Sequence, residues 1–199
     1  MADHRKFDTE EAVTDVKWKT RSTVTIVKDR WVDLRALECS TPSGRDISPY
    51  YVLSYPDWVH IVAITPDRMV VVTRQYRHAA GETLWELPCG MVDAADSDPV
   101  EAARRELGEE TGYGATRFDL VSTLYPNPAT HTNRIHTFLA TDAHPIGPQR
   151  LDPGEEGLEV HLVPLRDLIE LVQAGHFGQA LHTSSILLAL LKVGELRAV

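Results

Sequence analysis

The sequence contains few cysteines, no excess of basic residues and no long apolar run. Its two cysteines among 199 residues, Cys39 and Cys89, show no C-x-x-C spacing, which argues against a disulfide framework or a cysteine-based zinc site. The net charge of −9 argues against a large nucleic-acid surface, because such a surface needs a basic face. Lys192 interrupts the longest apolar run, at residues 186–193, which does not reach membrane-spanning length.

The length and composition predict one globular domain with a small extension. Hydrophobic residues make up 43% of the chain and charged residues 25%, which is ordinary for a soluble domain. Residues 1–11 are polar and charged, without the apolar core of a signal peptide. We therefore predict a cytoplasmic protein whose partners include neither a membrane nor a nucleic acid.

Three glutamates, Glu106, Glu109 and Glu110, lie close together in a predicted helix. Their i,i+3 and i,i+4 spacing places all three on one helix face, where like charges repel. A hard cation such as Mg²⁺, which takes carboxylate oxygens, water and phosphate as ligands, would neutralise that repulsion. The alternative is a solvated acidic face that binds nothing.

Local signals predict that this helix spans residues 99–111. Ser97 or Asp98 is placed to cap the N-terminus, Pro99 suits the first turn, and Gly112 is placed to end the helix in the left-handed conformation. Elsewhere, β-branched or alternating segments predict strands, and apolar periodicity predicts C-terminal helices. The predicted strands are residues 23–27, 31–37, 50–54, 59–64, 69–74, 82–87, 118–125, 134–140 and 158–163, and the predicted helices are residues 165–174 and 179–196.

The order of these elements predicts the fold class. Strands and helices follow one another without a long βα alternation, which favours an α+β sandwich with helices on both sides of a mixed sheet. Residues 1–16 are polar and predicted to be loose. Residues of roughly 1–55 would form a smaller β-rich extension in front of the main domain.

The residues around the glutamates resemble the Nudix box of the Nudix hydrolase superfamily. Its second half is matched residue for residue from Arg105 through Gly112, with Tyr113 in place of the last aliphatic residue. The first half departs from the pattern, because one extra residue lies between Gly90 and Arg105, and Asp96 or Asp98 replaces the box glutamate. The resemblance implies the Nudix fold, an α/β/α sandwich with a mixed sheet.

Three segments flank the box: Arg74-Gln75-Tyr76-Arg77, then Glu86-Leu87-Pro88-Cys89-Gly90, then the proline-containing segment around Pro126. Together they resemble the ADP-ribose pyrophosphatase branch of that superfamily. The resemblance implies a β-rich N-terminal extension, residues 1–55, that exchanges between the subunits of a homodimer. The hydrolase domain would then span residues 56–199.

The residues predicted to carry the chemistry come from the box and its flanks. Glu106 and Glu110 are the predicted metal ligands, Glu109 is a further ligand or the base, and the resemblance adds the backbone carbonyl of Cys89. Mg²⁺ is the predicted metal, with Mn²⁺ as a substitute. Arg105, counted with the catalytic residues, is predicted to hold the box loop by an ion pair with Glu109 or Asp96.

The predicted substrate contacts lie outside the box. Arg74, Arg77 and Glu86 are predicted to contact phosphate, ribose or base, and the alternative is an ion-pair network at a strand edge. His131, in the loop expected to cover the site, has a purely structural role as its alternative. Cys89 is predicted to be a small buried residue without a nucleophilic role, because no partner base is near it in the sequence.

Asn133 marks a departure from many ADP-ribose enzymes, which carry a glutamate at the matching position. A neutral amide cannot take a proton, so the base would be Glu109, Glu155 or Glu156, with His131 a weaker alternative. Asn133 remains a predicted substrate contact, and the departure favours a broader range of nucleotide-sugar substrates.

The combined prediction is a Mg²⁺-dependent hydrolase of a small-molecule substrate. It would cleave the pyrophosphate bond of ADP-ribose or a related nucleoside-diphosphate sugar, giving a nucleoside monophosphate and a sugar phosphate. One alternative is a house-cleaning hydrolase of modified nucleoside triphosphates. The other is a non-catalytic Nudix module that senses ADP-ribose.

Overall fold

The computed structural model describes residues 16–196, which divide into two compact units between Ser54 and Tyr55. The predicted loose segment at residues 1–16 lies outside the described residues, apart from Val16. Within the described range, no helix combines the length and the apolar character that a membrane crossing requires.

The described part of the N-terminal unit, residues 16–54, forms a three-stranded antiparallel sheet. Its strands are β1 (Lys19–Lys28), β2 (Asp33–Ser40) and β3 (Asp46–Leu53), which lie side by side in that order. The β1–β2 turn is closed by Asp29, whose Oδ1 accepts hydrogen bonds from the backbone N–H groups of Trp31 (2.7 Å) and Val32 (2.8 Å). The predicted hairpin is therefore confirmed, with both strands longer than the β-branched segments indicated.

Between residues 55 and 196, the second unit contains nine further strands, seven of them in one mixed sheet. The bounds are β4 (Trp58–Ile64), β5 (Met69–Arg77), β6 (Glu82–Glu86), β7 (Cys89–Met91), β8 (Tyr113–Gly114), β9 (Arg117–Leu124), β10 (Ile135–Thr141), β11 (His144–Pro145) and β12 (Glu159–Pro164). The order in the large sheet is β12-β5-β4-β10-β9, in which β4 and β10 run parallel. Strand β6 pairs with β5, strand β7 pairs with β4, and the short strands β8 and β11 pair with each other.

The first helix, α1 (Pro99–Thr111), has the bounds predicted from its capping residues. Asp98 is the cap, since its Oδ1 accepts hydrogen bonds from the N–H groups of Val100 (3.0 Å) and Glu101 (3.1 Å). Gly112 ends the helix with a φ of 71°, which a residue with a Cβ rarely adopts.

The C-terminal helices are shorter than predicted. Residues 165–174 begin as a 3₁₀ turn, Leu165–Asp167, and continue as α2 (Leu168–Gln173). The last helix, α3, spans Ala180–Lys192. The predicted end at residue 196 is wrong because Gly194 adopts a φ of 77°, outside the right-handed helical region.

The two faces of the large sheet pack against different helices. On β4, Val59, Ile61 and Ala63 face α1, while Val62, on the opposite face, packs with α3. This alternation follows from the two-residue period of a strand. It confirms the predicted sandwich with helices on both sides of a mixed sheet.

Candidate active site

The helix α1 places two of its glutamates against the backbone of strand β7. A Cβ at Gly90 would overlap with the carboxylate of Glu106, so the absence of a side chain there makes room for that carboxylate. The Oε2 atom of Glu110 accepts a hydrogen bond from the Cys89 N–H at 2.9 Å. The box glycine and the helix glutamates are therefore one packing unit.

Both of these carboxylates are buried, and burial disfavours their charged form. Glu106 is 8% exposed and Glu110 is 2% exposed. Burial raises the pKa of Glu106 to about 7, against the lowering effect of Arg105, and the charges of Glu155 and Glu109 raise it further. Burial also raises the pKa of Glu110 well above its ordinary value. Two buried acids one turn apart on one helix need more positive charge than Arg105 alone supplies if both are to be ionised, which fits a divalent metal with oxygen ligands.

Arg105 connects helix α1 to the lengthened loop before it. Its Nη1 donates to Glu106 (2.8 Å) and Glu109 (3.1 Å), and its Nη2 donates to the Met91 carbonyl (2.9 Å) and Asp96 (3.1 Å). The ion pairs predicted with Glu109 and Asp96 are both present. Since Asp98 caps the helix, Asp96 is the acid that meets Arg105, which resolves the ambiguity left by the extra residue.

The predicted contact residues on strands β5 and β6 form ion pairs in this structure. Arg77 donates from Nε and Nη2 to the two oxygens of the buried Glu86 at 2.8 and 2.5 Å. Arg74 lies 3.7 Å from Glu159 of the neighbouring strand β12. Because they are three positions apart on one strand, Arg74 and Arg77 point to opposite faces. Of the two, Arg77 lies near the box, where its charge interacts with Cys89 and Glu110.

The loop before β10 carries the last two predicted contact residues. The ring of His131 meets Tyr55 edge-on, with the ring centroids 5.5 Å apart. Asn133 is 1% exposed, and neither of its amide atoms has a hydrogen-bond partner among residues 16–196. A buried amide without partners is costly, so it fits a position that a bound ligand or water completes.

The sequence reasoning missed a cluster formed by the buried His60 and His182 with the partly buried Cys89. Their ligand-type atoms lie within 4.8 Å of one another, and the two rings stack in parallel with centroids 4.2 Å apart. His182 Nδ1 accepts a hydrogen bond from the Leu87 N–H (3.2 Å), and His60 Nδ1 lies 3.0 Å from Ser185 Oγ. Parallel rings direct their nitrogen lone pairs side by side, so one ion cannot lie in both ring planes unless a ring rotates.

Cys89 thus has two surroundings. Its backbone N–H faces Glu110, whereas its side chain lies with the histidines, and burial raises the pKa of the thiol. A thiol held protonated is a poor nucleophile, in keeping with the predicted packing role. His60, Cys89 and His182 are far apart in the sequence, so no local spacing predicts that they meet. The signal available in the sequence was a histidine within each of two otherwise apolar segments.

Two buried glutamates of α1 pack against the backbone at Cys89 and Gly90, and α1 itself packs on a mixed sheet. These features define a Nudix-type site. Residues 55–181 match the family described as the NUDIX domain, and residues 18–53 match the family described as the nucleoside diphosphate sugar hydrolase N-terminal domain. The first match covers more than half of the chain, so the protein belongs to the Nudix hydrolase family.

Similar proteins agree with this assignment. The chain is 28% identical to the ADP-ribose pyrophosphatase of Bacillus subtilis, over 78% of this chain and 83% of that protein. It is 28% identical to the CMP-5'-(N-acetyl-N-hydroxy-3-aminopropyl)phosphonate hydrolase of Streptomyces rubellomurinus, over 92% of this chain and 86% of that protein. A crystal structure of an ADP compounds hydrolase matches with a TM-score of 0.79 at 23% identity, over 90% of this chain and 97% of that chain, which confirms the Nudix fold.

Proposed function

We propose that this protein hydrolyses the pyrophosphate bond of ADP-ribose or a related nucleoside-diphosphate sugar in a Mg²⁺-dependent reaction. The products would be a nucleoside monophosphate and a sugar phosphate. The observation that carries the proposal is the pair of buried carboxylates, Glu106 and Glu110, packed on the backbone at Cys89 and Gly90. Such a pair has no evident structural use, because burying two acids costs folding free energy.

The substrate class is supported by the relatives and by the N-terminal match. The Bacillus subtilis relative is an ADP-ribose pyrophosphatase, and residues 18–53 match a domain described for nucleoside diphosphate sugar hydrolases. The Streptomyces relative is named for a CMP compound, so relatives of similar identity act on different bases. We therefore propose a nucleotide sugar as the class and leave the base open.

In the proposed mechanism, the chain holds the cation and orients the attacking water. Glu106 and Glu110 supply carboxylate oxygens, the Cys89 carbonyl adds a backbone oxygen, and Arg105 fixes Glu106 and Glu109 by hydrogen bonds. When bound, Mg²⁺ neutralises phosphate charge and lowers the pKa of a coordinated water. Arg77 and Glu86, near Cys89 and Glu110, are proposed to orient the substrate.

Glu155 is the proposed general base, ahead of Glu109 and Glu156. Its side chain is half-buried, and its charge acts on both Glu106 and Glu110, whereas Glu156 is exposed. Glu109 is already engaged by Arg105 and lies 3.7 Å from Arg150. Asn133 would then contact the substrate, which supplies the partners that its buried amide lacks.

We also propose that the protein is a homodimer formed through its N-terminal sheet. Every residue of the edge strand β1 is exposed, including Val24 at 57% and Ile26 at 50%, and Trp31 in the turn after the strand is 60% exposed. An exposed apolar edge strand favours pairing with another chain. Equilibrium sedimentation showing a monomer at micromolar concentration would contradict the dimer.

A cytoplasmic location also stays a prediction, which cell fractionation tests.

The first test is a phosphate-release screen with Mg²⁺, coupled to a phosphatase that acts on the products. The panel covers ADP-ribose, other nucleoside-diphosphate sugars, dinucleoside polyphosphates and nucleoside triphosphates. Turnover of a nucleotide sugar to a monophosphate and a sugar phosphate supports the proposal. Preferred turnover of triphosphates would favour the house-cleaning alternative, and ADP-ribose binding without turnover would favour the sensor.

A further inference from the structure

The segment of residues 150–157, which carries Glu155, is closed at its base by one side-chain amide. The Nε2 atom of Gln149 donates to the backbone carbonyl of Glu110 at 2.7 Å and lies 3.4 Å from the carbonyl of Leu158. Gln149 precedes this segment and Leu158 follows it. A single amide group therefore joins both ends of the segment to the catalytic helix.

Backbone groups around Gln149 add to this junction. The Arg150 N–H donates to the Glu109 carbonyl at 2.8 Å, and the Ile146 N–H donates to the Gly112 carbonyl at 2.8 Å. A Cβ at Gly112 would overlap with the Gly147 carbonyl, so the glycine permits this close approach. These donors satisfy carbonyls that a helix C-terminus leaves without intrahelical partners.

The junction also places positive charge at the C-terminal end of α1, where the helix has no basic residue of its own. The last turn of the helix contains Glu109 and Glu110 but no basic residue, although the negative end of the helix dipole favours cations there. The Gln149 amide and the Arg150 N–H place partial positive charge at that end. The Arg150 guanidinium, 3.7 Å from Glu109, adds a full charge.

The tip of the same segment is held by a second glutamine. Gln75 is 3% exposed, and its Nε2 donates to the Gly154 carbonyl at 3.1 Å. The carboxylate of Glu155 is fixed by its own turn, because its Oε2 accepts a hydrogen bond from the Asp152 N–H at 2.9 Å. Glu155 is thus anchored at the base, at the tip and within the turn.

We propose that Gln149 is a positioning residue that holds Glu155 in register with Glu106 and Glu110. It acts through Glu155 and touches neither substrate nor metal. The proposal rests on the proposed hydrolysis and names a part of its machinery that no box motif contains. Because Gln149 lies at the surface, its replacement leaves the core unchanged.

The test is a double-mutant cycle of Gln149→Leu and Glu155→Gln, with kcat and KM measured at saturating Mg²⁺. Gln149→Leu should lower kcat about 10- to 100-fold with little change in KM, as supporting residues of metal sites do. In the Glu155→Gln background, the same change should lower kcat by less than about twofold, because coupled residues are not additive. Gln173→Leu, at an exposed position of α2, is the matched control and should behave as wild type.

Hydrogen exchange of the metal-free protein gives a readout that does not depend on turnover. Gln149→Leu should speed exchange in residues 150–157 while leaving strand β4 protected, because only the anchored segment loses a restraint. Equal losses of kcat in both backgrounds would overturn the proposal, as would wild-type kinetics of Gln149→Leu or of Glu155→Gln. If the wild-type protein hydrolyses no compound of the screening panel, the proposed function fails first and this inference falls with it.

Discussion

The large sheet buries ionisable groups on both of its faces, with opposite consequences. On the α1 face, burial raises the pKa of Glu106 to about 7 and raises that of Glu110 well above its ordinary value. On the α3 face, burial lowers the pKa of His60 to about 4, and also lowers that of His182. The same desolvation thus favours neutral acids on one face and neutral bases on the other.

The state of the buried groups, rather than the presence of hydrogen bonds, distinguishes the two faces. Each histidine ring has a partner for its Nδ1 atom, Ser185 for His60 and the Leu87 N–H for His182. Neutral rings with such partners can be buried without a further ligand. The carboxylates of Glu106 and Glu110 also have partners, Arg105 and the Cys89 N–H, yet burial and the surrounding acidic charges still raise the pKa of both, so further positive charge is needed for both to be ionised. Burial of an ionisable group alone therefore does not indicate a site, whereas the burial of acids that raise the pKa of one another does.

The largest expected effect is on the face of the sheet that packs against α1, where Glu106 and Glu110 lie. Glu110→Gln removes a proposed metal ligand while keeping the size and the acceptor for the Cys89 N–H, so turnover should fall by several orders of magnitude. Steady-state kinetics with a nucleotide sugar and Mg²⁺ measures the loss.

Glu101→Gln is the matched control for that variant. It lies in the first turn of the same helix, and its side chain is 52% exposed and paired only with Arg104 in the described structure. Its turnover should match that of the wild type. Near-normal turnover of Glu110→Gln would remove the metal-ligand role.

A smaller effect is expected at Gly90, where the absence of a side chain makes room for the Glu106 carboxylate. Gly90→Ala places a methyl group against the Glu106 carboxylate, which must move from its place at β7. We expect turnover to fall about 10²-fold, comparable to the loss of one well-placed electrostatic group. Gly147→Ala, where a Cβ meets nothing within 4 Å, is the control and should retain activity. Full activity of Gly90→Ala would show that the carboxylate position is not critical.

Local signals account for what could be predicted from the sequence. Helix α1 has its predicted bounds because Asp98, Pro99 and Gly112 act on their own neighbours. The box spacing likewise indicated which glutamates share a face. The end of α3 was mispredicted because its apolar period continues through Leu196, past the left-handed Gly194.

Contacts between distant segments account for what could not be predicted. His60 and His182 belong to a strand and a helix that come together only in the folded domain. Gln149 meets the end of α1 from a loop that shows no periodicity. The choice between Asp96 and Asp98 likewise needed the three-dimensional path of the loop, because both lie near the expected spacing from Gly90.

A third expected effect concerns the face of the sheet that packs against α3 and is measured as stability. His60 has a folded pKa of about 4 and an ordinary value of 6.5, so the unfolded chain binds more protons between these pH values. The stability from the neutral ring is therefore present above pH 6.5 and is lost as the pH falls towards 4. The difference between these two pKa values corresponds to roughly 3 kcal/mol.

In the metal-free protein, Glu106 makes stability depend on pH in the opposite direction. Glu106 has a folded pKa of about 7, above its ordinary value of 4.5, so its contribution is present below pH 4.5 and is lost as the pH rises through 7. A comparison of variants isolates the histidine. Urea unfolding of His60→Gln between pH 4 and 7 should show a curve about 3 kcal/mol flatter than that of the wild type, because the amide does not titrate. The exposed His176→Gln should leave the curve unchanged, and a His60→Gln curve parallel to the wild type would mean that the buried ring is not held neutral.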